Sequence, residues 1–313
     1  MAHMNALLCF VIFLYIFNDV IGVALKRPRA ESSRRRTSCG RKSERKIVDG
    51  DTLISNKYPW IVRISAYYRP IQGFQKNSST ACSVVKTSQG KLKSARYVAK
   101  DLQTVMSLCG GSLITPRHVL TAGHCLLPEE FYPRYVVHYG SASAAKQSTA
   151  FVSHVYKHPN CHLVNQDRAV DDVAVMVLRA PVPLSPVCLP RAGAPLPSEV
   201  TVAGWGNTIP SIDSLQLPEL LKEAHMQVIP KEKCQEEHSY ANLQHQICAE
   251  PSSGFPGVGD SGGPLMTQEG NGGWTVVGVV SWGNETRFRT SPFVFSDVTS
   301  LLTWIQDIVS LPV

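Results

Sequence analysis

The chain has 313 residues, with 43% hydrophobic, 18% charged, 22 Gly, 21 Pro and nine Cys, a length that holds one large domain or two small ones. Its net charge of +7 does not describe a nucleic-acid-binding face: residues 25–46 hold ten Lys or Arg against two Glu, residues 1–24 hold only Asp19, and residues 47–313 are left neutral. Plentiful Gly and Pro with scarce helical periodicity predict an all-β chain of short strands.

Residues 6–17 form one apolar run, too short for a comfortable membrane span. Gly22-Val23-Ala24 supplies small residues two apart. The stretch 1–24 therefore reads as a secretory signal peptide cut after Ala24, although its start lacks Lys or Arg; the competing reading is an uncleaved anchor. No other stretch is long and apolar enough to span. Residues 25–46 are rich in Arg, Lys and Ser, cannot bury a core and are expected to form a solvated, protease-accessible leader. Removing the signal takes Cys9 away and leaves eight cysteines, an even number that in a secreted chain suggests disulfides.

Tyr58-Pro59-Trp60-Ile61-Val62 opens the folded part. Between Trp60 and Cys109 lie 48 residues, and the segment from about 66 to 108 exceeds an ordinary loop. It holds Cys82, five Lys or Arg between 86 and 100, and Asn77-Ser78-Ser79, a glycosylation acceptor. Two readings stand, a tolerated surface insertion and an exosite that selects substrates. From Phe131 to Gln166 there is no Asp or Glu, so no calcium site is expected there. His154, His158, Cys161 and His162 have spacings a metal tolerates, but the cysteine is expected to be oxidised, and no metal or cofactor is expected. Leu301, Trp304, Ile305 and Ile308 recur at helical spacing and predict a C-terminal amphipathic helix.

The chemistry centres on Gly259-Asp260-Ser261-Gly262-Gly263-Pro264. A serine hydroxyl is a poor nucleophile until a neighbouring base takes its proton. Glycines let the backbone turn sharply, so the Gly259 and Ser261 amides can point at one spot and hold a developing oxyanion. Thr121-Ala122-Gly123-His124-Cys125 offers the base. Asp171-Asp172, entering the apolar run Val173–Leu178, offers an orienting carboxylate.

With Ile47-Val48-Asp49-Gly50, Cys109-Gly110-Gly111-Ser112-Leu113, Gly204-Trp205-Gly206 and Ser281-Trp282-Gly283, these motifs stand in an order that resembles the chymotrypsin/trypsin-like serine proteases over residues 47–313. The resemblance implies two six-stranded antiparallel β-barrels with the active site between them and the C-terminal helix packed on the second barrel. It implies a triad of His124, Asp172 and Ser261, with Asp172 chosen because it directly precedes the apolar run. Ser281 would donate a second hydrogen bond to Asp172, and Asp171 would be a solvated neighbour. The oxyanion hole would be the Gly259 and Ser261 amides. A trypsin-like activator would cut after Lys46, and the freed Ile47 amine would pair with Asp260; Asp49 departs from the family's glycine there. The implied disulfides are Cys39–Cys188, Cys109–Cys125 and Cys234–Cys248; Cys82 and Cys161 are left over and are expected to pair with each other.

The specificity pocket departs from the family. Phe255 takes the floor position where an aspartate selects Lys or Arg, and Phe293 the wall position usually held by glycine. Gly257, Thr286 and Val200 stand where relatives carry cysteines. Two rings would leave a shallow apolar pocket that takes small or no side chains and refuses Lys and Arg; alternatively, one ring swings away and a medium apolar side chain enters. Ser281, Trp282 and Gly283 would pair with an extended substrate. Asn284-Glu285-Thr286 is a second glycosylation acceptor beside that edge. The expected protein is a secreted, monomeric serine endopeptidase, made as a zymogen, with protein or peptide substrates, an activating protease and a protein inhibitor as partners, and neither nucleic acid nor membrane after signal cleavage. The rival is a binding or regulatory protein that kept the fold and lost productive substrate binding.

Overall fold

The structure is a computed structural model that describes residues 39–41, 57–68, 96–98, 105–127, 133–165, 168–209, 215–238, 243–284, 287 and 289–312. The expected signal peptide, nearly all of the basic leader, Lys46, Ile47, Asn77, Cys82 and Thr286 lie outside these residues.

The first half of the chain gives β1 (Ile61–Tyr68), β2 (Arg96–Val98), β3 (Val105–Leu113), β4 (His118–Thr121), β5 (Arg134–Tyr139), β6 (Ser148–Lys157), β7 (His162–Asn165), β8 (Arg168–Val170) and β9 (Ala174–Leu178). Along β1 the side chains of Val62, Ile64 and Ala66 alternate into the core. Its neighbours run β1-β5-β6-β9-β4-β3, and pairing of β1 with β3 closes these six strands into a barrel. All of β9 is buried, which explains why its sequence is a continuous apolar run rather than an alternation.

The 66–108 insertion begins and ends inside strands. β1 runs on to Tyr68, β3 starts at Val105, and β2 adds a seventh strand to the sheet with Arg96 opposite Ser107. β7 and β8 form a separate two-stranded ribbon.

The second half gives β10 (Glu199–Gly204), β11 (Lys222–Ile229), β12 (Gln246–Ser253), β13 (Pro264–Gln268), β14 (Trp274–Trp282) and β15 (Phe293–Asp297). They close a second barrel in the order β10-β11-β12-β15-β14-β13 around Val202, Met226, Ile247, Leu265 and Phe295. Two helices are described, α1 (Lys231–Glu237) and α2 (Leu302–Val309). No helix of the described residues is long and apolar enough to cross a membrane.

Three indole and phenol groups tie the barrels together while satisfying their own polar atoms. Trp60 Nε1 lies 3.1 Å from Met266 Sδ, Tyr58 donates to Glu223 at 2.8 Å, and Trp205 Nε1 donates to the Ala142 carbonyl at 3.0 Å. Burial of each such ring contributes roughly 2–3 kcal/mol. Helix α2, expected on the second barrel, sits differently. Leu301 and Ile305 join the cluster that runs through the first barrel and the barrel interface, and Trp304 meets His158 edge-on at 5.0 Å. The His158 ring gives the indole an aromatic partner that spacing along the helix does not reveal.

Disulfides join Cys39 to Cys188, Cys109 to Cys125, and Cys234 to Cys248. Cys161 is also disulfide-bonded, to a residue outside those described.

Candidate active site

His124 lies in a single 3-10 turn, Gly123–Cys125, directly after β4. Asp172 directly precedes the β9 core. Because β4 and β9 pair with Thr121 opposite Ala174, the two turns meet at one end of the same strand pair. The Cys109–Cys125 bond fixes the histidine turn to β3.

Asp172 is fully buried and its two oxygens are divided between partners. Oδ1 accepts the His124 backbone N–H at 2.8 Å. Oδ2 lies 2.7 Å from His124 Nδ1 and accepts the Ser281 hydroxyl at 2.5 Å. Ser296 on β15 donates to the Asp172 carbonyl at 2.8 Å. Burial alone would raise the Asp172 pKa, but the histidine charge and these hydrogen bonds hold it below the usual carboxylate range. Burial alone would lower the His124 pKa, but the Asp172 charge and hydrogen bond lift it above 6.5.

Asp171 is not a solvated neighbour. Its backbone sits at φ +47°, which turns its carboxylate away from Asp172. There it lies 2.6 Å from His245 Nδ1 and 3.9 Å from His158 Nδ1, with only 13% of its side chain exposed. The two adjacent aspartates thus serve two separate histidine contacts. The other residues of the histidine-rich stretch diverge: His154 stacks on Tyr156, and Cys161 is oxidised. The one convergent His, Cys and acid group among the described residues is Cys109, His124 and Cys125, whose sulfurs are bonded to each other.

Ser261 sits in the turn leading to β13. Gly262 holds φ +80°, and a side chain there would fall 2.2 Å from Thr121 Oγ1, so the turn can press against the β3–β4 region only as glycine. Gly110 N–H donates to the Ser261 carbonyl at 2.7 Å. The Gly259 and Ser261 amides donate to no other described group, which leaves both available to an oxyanion. No hydrogen bond joins Ser261 Oγ to His124 among the described residues. Such contacts often tighten only when substrate is bound.

Asp260 accepts backbone N–H bonds from Gly206 at 2.7 Å and Gly257 at 2.8 Å, and no described cation reaches it. Burial pushes its pKa up to about 6 against the two amides that favour the charged form. Its carboxyl borders a cleft of about 240 Å³ lined by Val202, Asn207, Ala224 and Phe255. Asn207 N–H donates to the Val258 carbonyl at 2.8 Å, which draws the two loops together. A side-chain carbon on Gly257 would lie 2.1 Å from the Asn207 carbonyl oxygen, so the loop has no room for the cysteine of relatives. Gly257→Ala is expected to cost about 1–3 kcal/mol of stability, read as a lower Tm; an unchanged Tm would mean that the loops separate freely.

Phe255 and Phe293 stack with centroids 6.1 Å apart and planes 9° from parallel. Phe293 is buried, and its ring edge lies where a side chain on Gly283 would be, 2.5 Å from that carbon to Cδ1. The Arg289 guanidinium lies 5.7 Å from the Phe255 centroid. Trp282 Nε1 donates to the Ala169 carbonyl at 3.2 Å, and its ring packs on His238. Two contributors escaped the motifs: Ser296 and Asn207. Neither sits in a local pattern, because each acts through a contact across the fold.

The family model for Trypsin matches residues 84–305. β1 precedes that match, as a long insertion between it and β3 would cause. The chain is similar to human kallikrein-11, with 30% identity over 237 residues that cover 72% of this chain and 79% of the relative. It is also similar to transmembrane protease serine 9 of Rattus norvegicus, with 32% identity over 214 residues that cover 64% of this chain and 20% of that longer protein. With the family match across most of its length and both closed barrels in place, the chain belongs to the trypsin family of serine endopeptidases.

Proposed function

We propose that the chain is a secreted serine endopeptidase made as a zymogen, with His124, Asp172 and Ser261 as its triad. The observation that carries this reading is the buried hydrogen-bond set around Asp172, beside a serine turn with two unengaged amides. His124 takes the Ser261 proton as the hydroxyl attacks the substrate carbonyl. Asp172 holds the histidine tautomer and stabilises the imidazolium. The Gly259 and Ser261 amides hold the oxyanion. His124 then gives its proton to the leaving amine, and water releases the acyl group from Ser261.

Activation would follow a cut between Lys46 and Ile47 by a trypsin-like protease. The freed Ile47 amine would enter the cleft beside Asp260 and supply the cation that this carboxyl lacks among the described residues. The Cys39–Cys188 bond would keep the cut leader attached. Glycans on Asn77 and Asn284 and a protein inhibitor belong to the same reading of a secreted monomer.

The stacked Phe255 and Phe293 rings support a shallow primary pocket for small side chains. Phe293→Gly should raise kcat/KM for substrates with a larger apolar residue at the cut by about 10-fold or more. A peptide library would show this as a broadened cleavage pattern. Steady cleavage after Arg by the unaltered protein would sink the pocket reading.

The same stack favours one second reading, a protease-fold binding protein with little turnover. A peptide library digested with protein cut after Lys46, with Ser261→Ala as control, separates the two. Cleavage absent from the control supports the protease. Fluorophosphonate labelling of Ser261 without any cleavage supports the binder.

A further inference from the structure

We propose that Cys161 is a positioning residue of the His124–Asp172 pair, its sulfur acting as a plug that keeps water off the aspartate. The inference rests on the triad reading above. Cys161 ends the turn after β6, where its N–H donates to the His158 carbonyl at 3.0 Å. That turn brings Sγ to 3.9 Å from Asp172 Oδ1. Oδ1 is the oxygen that accepts the His124 backbone N–H.

Position 123 is cut away to admit the sulfur. A side-chain carbon on Gly123 would lie 2.5 Å from Cys161 Sγ and 3.3 Å from Asp172 Oδ1. The sulfur thus fills the gap left by the glycine. Cys161 is half-buried and Asp172 fully buried, so the cysteine residue reaches from the carboxylate to the surface. Removing it would open space for about one water next to a charged oxygen. Water there would compete for Oδ1 and weaken the coupling of Asp172 to His124, which is strong only while the site is dry.

Cys161 also belongs to a disulfide that leaves the described core. The plug is therefore held by a covalent tether as well as by packing.

The test uses the full chain cut after Lys46 in four forms: unaltered, Cys161→Ala, Gly123→Ala, and both together. Two readouts are taken, the rate of fluorophosphonate labelling of Ser261 and the downfield proton NMR resonance of His124 Nδ1–H. Cys161→Ala should label about 10-fold more slowly and lose the resonance to solvent exchange. Gly123→Ala, which keeps every cysteine, should show a similar loss because methyl and tethered sulfur cannot share the space, and their overlap pushes the His124 turn off Asp172. The double variant should recover to within about threefold, because the alanine methyl at 123 now fills the place of the sulfur. Full labelling and an intact resonance in Cys161→Ala would overturn the proposal, as would a double variant no better than Cys161→Ala alone. The resonance reads the plug without any turnover, so failure of the unaltered protein to label would count against the protease reading and leave this one open to its own measurement.

Discussion

Asp172→Asn in the cleaved protein will lower kcat by about 10⁴-fold and leave KM for a peptide nearly unchanged. The carboxylate acts only as an acceptor, toward His124 N, His124 Nδ1 and the Ser281 hydroxyl. An amide in the same volume can turn its NH₂ toward Nδ1. The histidine would then carry its proton on Nε2, and that nitrogen could no longer accept the Ser261 proton. Substrate contacts lie elsewhere, so the loss belongs to kcat. Steady-state kinetics on a peptide from the library would read it, and a loss under 100-fold would mean that Asp172 does not set the tautomer. The unaltered enzyme adds a pH signature. Protonated His124 cannot act as a base, so the rate should fall as pH drops through a His124 pKa that lies above 6.5. An acid limb centred below 6.5 would contradict the Asp172 coupling.

Asp260→Asn will have opposite effects before and after the cut. In the uncut chain the half-buried Asp260 has its pKa pushed up to about 6 from the ordinary 3.8. A carboxyl whose folded pKa is raised binds its proton more tightly in the folded state. Its contribution is fully present below about 4 and is lost as pH rises through about 6. Uncut protein should therefore show a Tm that declines across that window, and the asparagine variant should flatten the decline. On the proposed activation, the freed Ile47 amine needs the negative charge after the cut. Without it the loop carrying Gly259 and Ser261 has no ionic anchor, and activity should fall roughly 10³-fold, comparable to loss of an oxyanion donor. A cleaved Asp260→Asn enzyme with full activity would remove Asp260 from the activation reading.

The residues proposed to carry chemistry were legible because such surroundings must be specific over a few consecutive positions. His124 needs its turn and the cysteine that pins it, and Ser261 needs glycines on both sides. The barrels followed from resemblance and from strand-length apolar runs such as Val173–Leu178. What escaped notice is set by approach in space. Nothing around Ser296 signals that its hydroxyl holds the Asp172 carbonyl. Gly257 reads as a lost cysteine, and only the Asn207 carbonyl explains why no side chain fits. Asp171 looked like a spare charge because its positive φ, which aims it at His245, leaves no mark in composition. The strand β2 was hidden for a related reason: pairing with β3 through backbone atoms selects no residue type.

The hydroxyls of Ser281 and Ser296 come from β14 and β15, whereas the aspartate they hold comes from the first half of the chain. Ser261, the proposed nucleophile, also lies in the second half. During synthesis the N-terminal half emerges and folds first. At that stage it carries a base and an acid with nothing to activate and an aspartate lacking two of its donors. Hydrolytic competence is thus withheld until the last strand is made and the halves have docked. If the triad is as proposed, a ribosome-bound or half-folded molecule cannot attack its neighbours, a protection independent of any leader segment.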